Sequence, residues 1–247
     1  MISIKTPQEI RAMQEGGRML ATILEKVSQQ INPGITTKEL DRAAEALILH
    51  GGAKVAFRGY EGFPATICIS INDEIVHVIP SERILKEGDI VTLDLGLIWQ
   101  GFYLDMARTF PVGKVSFEAK LLIETTKKAL RLGIKKARPG NTVGDIGNTI
   151  QRFVEGQGYG VVRELCGHGI GKELHEDPKV LNYGKRGEGE TLKEGMVICI
   201  EPMITVGHWK LKKSEDGYGF ATHDGSLSCH FEDTVAITSR GPLVLTR

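Results

Sequence analysis

The chain has 247 residues, 41% hydrophobic and 25% charged, the make-up of an ordinary globular protein and enough length to bury a sizeable core. Its 31 basic residues balance 31 acidic ones, so no net charge draws it to nucleic acid or to an anionic membrane. No signal peptide and no membrane span of ~18 apolar residues is expected. The four scattered cysteines (Cys68, Cys166, Cys199, Cys229) form no CxxC pair, which argues against a disulfide framework and for the cytoplasm.

The first predicted element is a helix opening at Thr6-Pro7-Gln-Glu9, with Thr as N-cap, Pro in the first turn and Glu closing a capping box. Ile10, Met13, Leu20, Ile23, Leu24 and Val27 follow at helical spacing, weakened a little by Gly16-Gly17. A second capped helix begins at Thr36, with Glu39 three residues on, and runs to His50 before Gly51-Gly52. Runs rich in Val, Ile, Leu and Thr predict strands at 65–71, 90–98 and 102–112. The order then recurs, with helices at about 117–138 and 143–156 and strands at 161–166, 197–206 and 228–238. The basic clusters Lys135-Lys136-Arg138 and Lys210-Lys212-Lys213 read as solvated faces.

The recurrence is visible in the residues themselves. Pro33-Gly-Ile-Thr36-Thr-Lys-Glu39-Leu40 matches Pro139-Gly-Asn-Thr142-Val-Gly-Asp145-Ile146. Leu85-Lys-Glu-Gly88-Asp-Ile-Val-Thr-Leu-Asp94 matches Leu192-Lys-Glu-Gly195-Met-Val-Ile-Cys-Ile-Glu201 at nearly the same offset. A period this long is not that of a solenoid. It implies one domain over 1–247, internally duplicated at about 1–110 and 111–247, with helices on one face of a curved, mainly antiparallel sheet. With no GxGxxG between an early strand and a helix, a dinucleotide fold is disfavoured.

The repeat aligns Asp94 with Glu201, each inside apolar strand sequence, where an unpaired carboxylate is strongly disfavoured and must find a cation. A Lys or Arg partner would explain one such residue; the same anomaly in both halves favours metal. A turn centred on Trp99-Gln100 would set Asp105 directly opposite Asp94, with Cβ atoms ~4.5–5.5 Å apart. Glu232, on the strand expected beside Glu201, is the counterpart in the second half. His168, between Gly167 and Gly169, offers a nitrogen, and His175 is a second candidate. Four carboxylates and a single imidazole suit Mn, Co, Fe or Zn in a catalytic site, not a Cys-rich structural zinc.

Asp94, Asp105, His168, Glu201 and Glu232, in that order and spacing, resemble the metal-ligand set of the methionine aminopeptidases and their pita-bread relatives. Gly59-Tyr-Glu-Gly62-Phe-Pro64, Cys68-Ile-Ser-Ile-Asn72, Gly167-His-Gly-Ile-Gly171, His175-Glu-Asp-Pro178 and Glu201-Pro-Met203 carry the likeness further. The resemblance implies an α+β pita-bread fold of the short bacterial type I form, and two divalent ions. It implies removal of the initiator methionine from nascent polypeptides with a small second residue. Glu201 would shuttle a proton, His77 and His175 would donate to the substrate, and Tyr60, Phe63, Cys68, His77, Leu174, His175 and Tyr218 would line the methionine pocket. It further implies a cytoplasmic monomer, without membrane attachment, in transient contact with ribosomes. From its surroundings alone His77 reads as a buried histidine, and Cys199 and Cys229 as small core residues. The chain departs from the family pattern at Leu174 (commonly Phe), Tyr218 (commonly Trp), His230 and Asp233 (commonly Gln and His) and Val78 (commonly Gly). None of these is a ligand position in the family. The alternatives are a catalytically dead binding module of this fold and another exopeptidase of it.

Overall fold

A computed structural model describes residues 2–247. Among the described residues four α-helices form where the caps place them: α1 Pro7–Ser28, α2 Thr37–His50, α3 Phe117–Ile134 and α4 Val143–Glu155. Complete capping boxes start three of them, Thr6 with Glu9, Thr36 with Glu39, and Thr142 with Asp145. Ser116 caps α3 from its own hydroxyl. The helix α3 stops at Ile134, four residues short of the expected end, where the chain turns toward Pro139. Among the described residues no helix is long and apolar enough to cross a membrane.

A nine-stranded sheet forms the body, with every pairing antiparallel. Its central strands, in spatial order, are Ile90–Trp99, Phe102–Pro111, Glu232–Thr238, Val197–Ile200 and Gly167–Gly169. Two smaller sheets of three strands flank it. One face of the large sheet carries the helices: Leu104 lies against Gly16 of α1, and Ile200 and Ile150 crowd Gly133 of α3. Leu93, Leu95, Leu97, Ile198, Val235 and Ile237 are buried in the two cores that result.

Matched segments of the repeat take matched structures. Gly34 N–H donates to Leu85 O and Leu85 N–H to Ile35 O; Gly140 N–H donates to Leu192 O and Leu192 N–H to Asn141 O. Thr36 bridges to Ile84 and Thr142 to Thr191.

Four expected strands differ. The run 197–206 breaks at Glu201-Pro202, and 228–238 breaks at Phe231. In both cases the second piece or the first leaves for a small sheet, where Met203–Thr205 pairs with Ser228–His230. Proline has no N–H for a ladder, and Asn182 Nδ2 donates to the Glu201 carbonyl at 2.9 Å instead. The run 161–166 contributes only Gly160–Val161, and Ile67–Ile71 begins two residues later than expected.

Candidate metal centre

The register sets out the carboxylates. Asp94 pairs with Ala107, and Glu232 pairs with Ala107 from the other side. Asp105 lies two residues before Ala107, so all three project from the face opposite the helices. The expected direct opposition of Asp94 and Asp105 is wrong: Asp105 stands opposite Gly96. The turn is Gln100-Gly101, with φ of 49° and 82°, the two-residue hairpin form, and it moves the register by two. Side-chain parity is kept, so Asp94 and Asp105 remain diagonal neighbours on one face, within reach of each other.

Continuing the rung between Asp233 and Ile200 puts Glu201 beside Glu232. His168 lies on Gly167–Gly169, next to the rung of Gly169 with Ile198, and shares that face. The glycines there permit close backbone packing: a Cβ on Gly169 would stand 2.2 Å from Asp177 O, and one on Gly167 2.3 Å from Cys199 O. Thr234 locks the centre from beneath, its hydroxyl accepting from Asp105 N–H at 3.1 Å and donating to Asp105 O at 2.7 Å.

Donor atoms of Asp94, Asp105 and Glu232 lie within 4.8 Å of one another, as do those of Glu201, His230 and Glu232, and of His168, Cys199 and Glu232. Asp94, Asp105 and Glu232 are buried, and the Glu201 side chain is 12% exposed. Among the described residues no lysine or arginine pairs with any of the four. Burial first, and mutual repulsion second, drives the carboxyls of Asp94, Glu201 and Glu232 far up; burial lifts Asp105 to about 7. Among the described residues Asp94 Oδ1 and Glu232 Oε1 find no hydrogen-bond partner.

His168 is oriented for ligation. Its Nδ1 donates to Gly169 O at 2.8 Å, which fixes the tautomer and leaves the Nε2 lone pair facing Glu201 (3.8 Å) and Glu232 (4.0 Å). Burial depresses its basicity to about 3, so the ring is neutral at any ordinary pH. Buried carboxylates without cationic partners beside a neutral imidazole form a donor set that fits divalent cations. Cys199 is a poor member, since burial and Glu232 push its thiol far up.

All twelve residues expected at the site line one cavity of about 470 Å3. His175 and His77 both line it. The Tyr60 hydroxyl meets His175 Nδ1 at 2.9 Å, and the His175 and His168 rings meet edge-on with centroids 4.4 Å apart. His175 is held by its neighbour: Glu176 accepts from Lys172 and Glu173 N–H and pairs with buried Lys5 at 2.6 Å. The sequence reading of His77 as buried is corrected: it is exposed to the cleft, turned there by a left-handed backbone (φ 60°) and set edge-on to Phe220. Burial by the cleft walls brings its basicity down to about 4.

Lys213 and Phe220 also line the cavity, with Lys213 Nζ 5.8 Å from the Phe220 ring centre, so only part of the lysine cluster is a plain solvated face. Cys199 and Cys229 are buried as expected, and Cys68, also buried, lines the cavity. His230 belongs to the cluster as well, although as a family departure outside the ligand positions it gave no such signal.

A curled antiparallel sheet with this donor set on its open face defines a metal-dependent hydrolase. The sequence model of Metallopeptidase family M24 matches residues 11–239. "Methionine aminopeptidase" of Clostridium acetobutylicum is 49% identical, over 100% of this chain and 99% of its own. "Methionine aminopeptidase 1" of Bacillus subtilis is 45% identical over all of both chains. A crystal structure of methionine aminopeptidase from Rickettsia prowazekii matches with a TM-score of 0.99 at 41% identity, covering all of both. The chain belongs to metallopeptidase family M24, among its methionine aminopeptidases, and has their pita-bread fold.

Proposed function

We propose that the chain is a methionine aminopeptidase of one internally duplicated catalytic domain, acting on nascent polypeptides whose second residue is small. The observation that carries this reading is the cavity itself, whose floor is the carboxylate–imidazole cluster and whose walls are Phe63, Cys68, Leu174 and Tyr218. An unbranched thioether fits such an apolar pocket. Phe63 and Tyr218 pack edge-on at 5.7 Å, and the Tyr218 hydroxyl donates to Gly62 O at 3.0 Å, which narrows the entrance. The matched hydrogen bonds around Leu85 and Leu192 support the duplication. So does the placement of the carboxylates: Asp105 and Glu232 lie on the paired strands Phe102–Pro111 and Glu232–Thr238, Asp94 on the strand beyond the first, and Glu201 directly after the strand beyond the second.

Asp94, Asp105, His168, Glu201 and Glu232 would hold two divalent ions, drawn from Co, Mn, Fe and Zn. Ions bound there would supply an acidified water and a Lewis acid for the scissile carbonyl. Glu201, its carboxyl raised by burial, takes a proton at the floor and delivers it to the leaving amine. The Tyr60 hydroxyl donates to His175 Nδ1, which puts the imidazole proton on Nε2, free to donate to the developing oxyanion. His77, neutral in the cleft, donates to the substrate amide. The enzyme works in the cytoplasm as a monomer, in transient contact with ribosomes.

Two outcomes test this reading. With Mn, Co, Fe or Zn added, Met-Ala-Ser is expected to release methionine, while Met-Lys-Ser and Leu-Ala-Ser are not; equal rates on the three peptides would sink it. Tyr60→Phe leaves the His175 tautomer unfixed. Its kcat is expected to fall roughly three- to tenfold, the worth of one ordinary hydrogen bond, with metal content per chain unchanged. A Tyr60→Phe enzyme at full kcat would remove the orienting role.

A further inference from the structure

The mechanism above leaves one buried group unused. His230 is 1% exposed, and among the described residues neither ring nitrogen has a hydrogen-bond partner. Its backbone is fixed by Thr109, whose hydroxyl accepts from His230 N–H at 3.2 Å and donates to His230 O at 2.9 Å. The ring thereby points into the metal centre. Nε2 lies 3.5 Å from Glu201 Oε2 and 3.9 Å from Glu232 Oε2, too far for hydrogen bonds.

Those separations have another meaning. Two donors ~2.1 Å from one ion, at the angles of tetrahedral or octahedral sites, stand ~3.0–3.4 Å apart. His168 Nε2, oriented for ligation, is 3.8 and 4.0 Å from Oε1 of the same two glutamates. His230 is nearer to both than His168 is, and it faces the opposite oxygen of each. The two imidazoles thus flank the Glu201–Glu232 pair, one at each edge. A buried imidazole with two unsatisfied nitrogens is strongly disfavoured unless a lone pair finds an electrophile.

We propose that His230 is a sixth protein donor to this centre, its Nε2 sharing an ion with Glu201 and Glu232. The inference rests on the metal-dependent reading above and sharpens it. A second imidazole moves the preference of the site toward zinc, cobalt and iron, and away from manganese, which favours oxygen donors.

Calorimetric titration with zinc chloride and with manganese chloride, on the wild type and His230→Gln, reads this preference. His230→Gln is expected to weaken zinc binding by ~10–100-fold, at least the effect of losing an outer partner of a ligand, and to leave manganese binding nearly unchanged. Pulsed EPR of the wild type loaded with two equivalents of copper(II) gives a readout that does not depend on the variant folding. Two distinct imidazole couplings are expected, one lost in His230→Gln and the other in His168→Ala. A single coupling in the wild type, or a pattern that His230→Gln leaves untouched, overturns the proposal while the metal-dependent reading stands. A wild type that binds none of these metals overturns both.

Discussion

Asp105→Asn is expected to abolish turnover and, in metal-free protein, to raise stability. An amide keeps the shape of the side chain but cannot balance two dications, so metal affinity drops and several kcal/mol of barrier lowering goes with it, ~10³-fold or more in rate. The stability effect has the opposite sign. Burial raises Asp105 from its ordinary 3.8 to about 7, and Asp94, Glu201 and Glu232 are raised beside it. Between pH 4 and 7 the folded metal-free chain holds a proton on Asp105 that the unfolded chain has released, so this group's contribution to stability falls as pH rises. His168 and His230, each lowered to about 3 by burial, act the other way, weakening the fold as pH falls below 6.5.

The difference between variant and wild type isolates the aspartate. In chelated protein the Tm of Asp105→Asn minus that of the wild type is expected to grow from pH 4 to pH 7. At the upper end it should correspond to at least ~1 kcal/mol, or about 2–4 °C for a chain of this size. Adding zinc should reverse the order, because only the wild type gains the full binding energy. Calorimetric melts across pH, with and without chelator, measure both. A variant that keeps its metal and near-normal kcat would remove Asp105 from the centre.

How much of this was legible beforehand follows from the range of the interactions. Capping boxes are local, written in residues three apart, and Thr6, Thr36 and Thr142 start their helices as read. Buried strands such as Ile90–Trp99 announce themselves by apolar runs, and a carboxylate inside such a run was the signal that exposed Asp94 and Glu201. The comparisons bear out the family and fold resemblance.

The misses are tertiary. Gln100 adopts a left-handed backbone that usually calls for Gly or Asn, so the hairpin turn could not be placed from the sequence, and the register slipped by two. Glu176–Val180, with Glu, Asp, Pro and Lys, lacks the apolar run that marks the other strands yet pairs with Gly167–Gly169 at the end of the sheet. His77 lines the cleft from a left-handed backbone (φ 60°) that nothing in its sequence announces. His230 carries no local mark at all; what sets it apart is that strand Ser228–His230 ends beside Glu201.

His168→Ala and His175→Ala are expected to fail in different ways, although the two rings touch. His168 directs a fixed lone pair at Glu201 and Glu232, so its loss should lower bound metal and activity together, with partial rescue by excess metal. With His230 on the far edge of the same glutamates, some affinity should survive, more for zinc than for manganese. His175 stands outside the donor cluster, its Nδ1 occupied by the Tyr60 hydroxyl. Removing it should leave metal content intact and lower kcat by ~10²–10³, the usual effect of losing one oxyanion donor. KM should change less, because that contact tightens mainly in the transition state. Metal analysis by ICP on both purified variants, beside steady-state kinetics on Met-Ala-Ser, separates the two roles. If His175→Ala loses its metal while His168→Ala retains it, the ligand and donor assignments on this strand and its following turn are reversed.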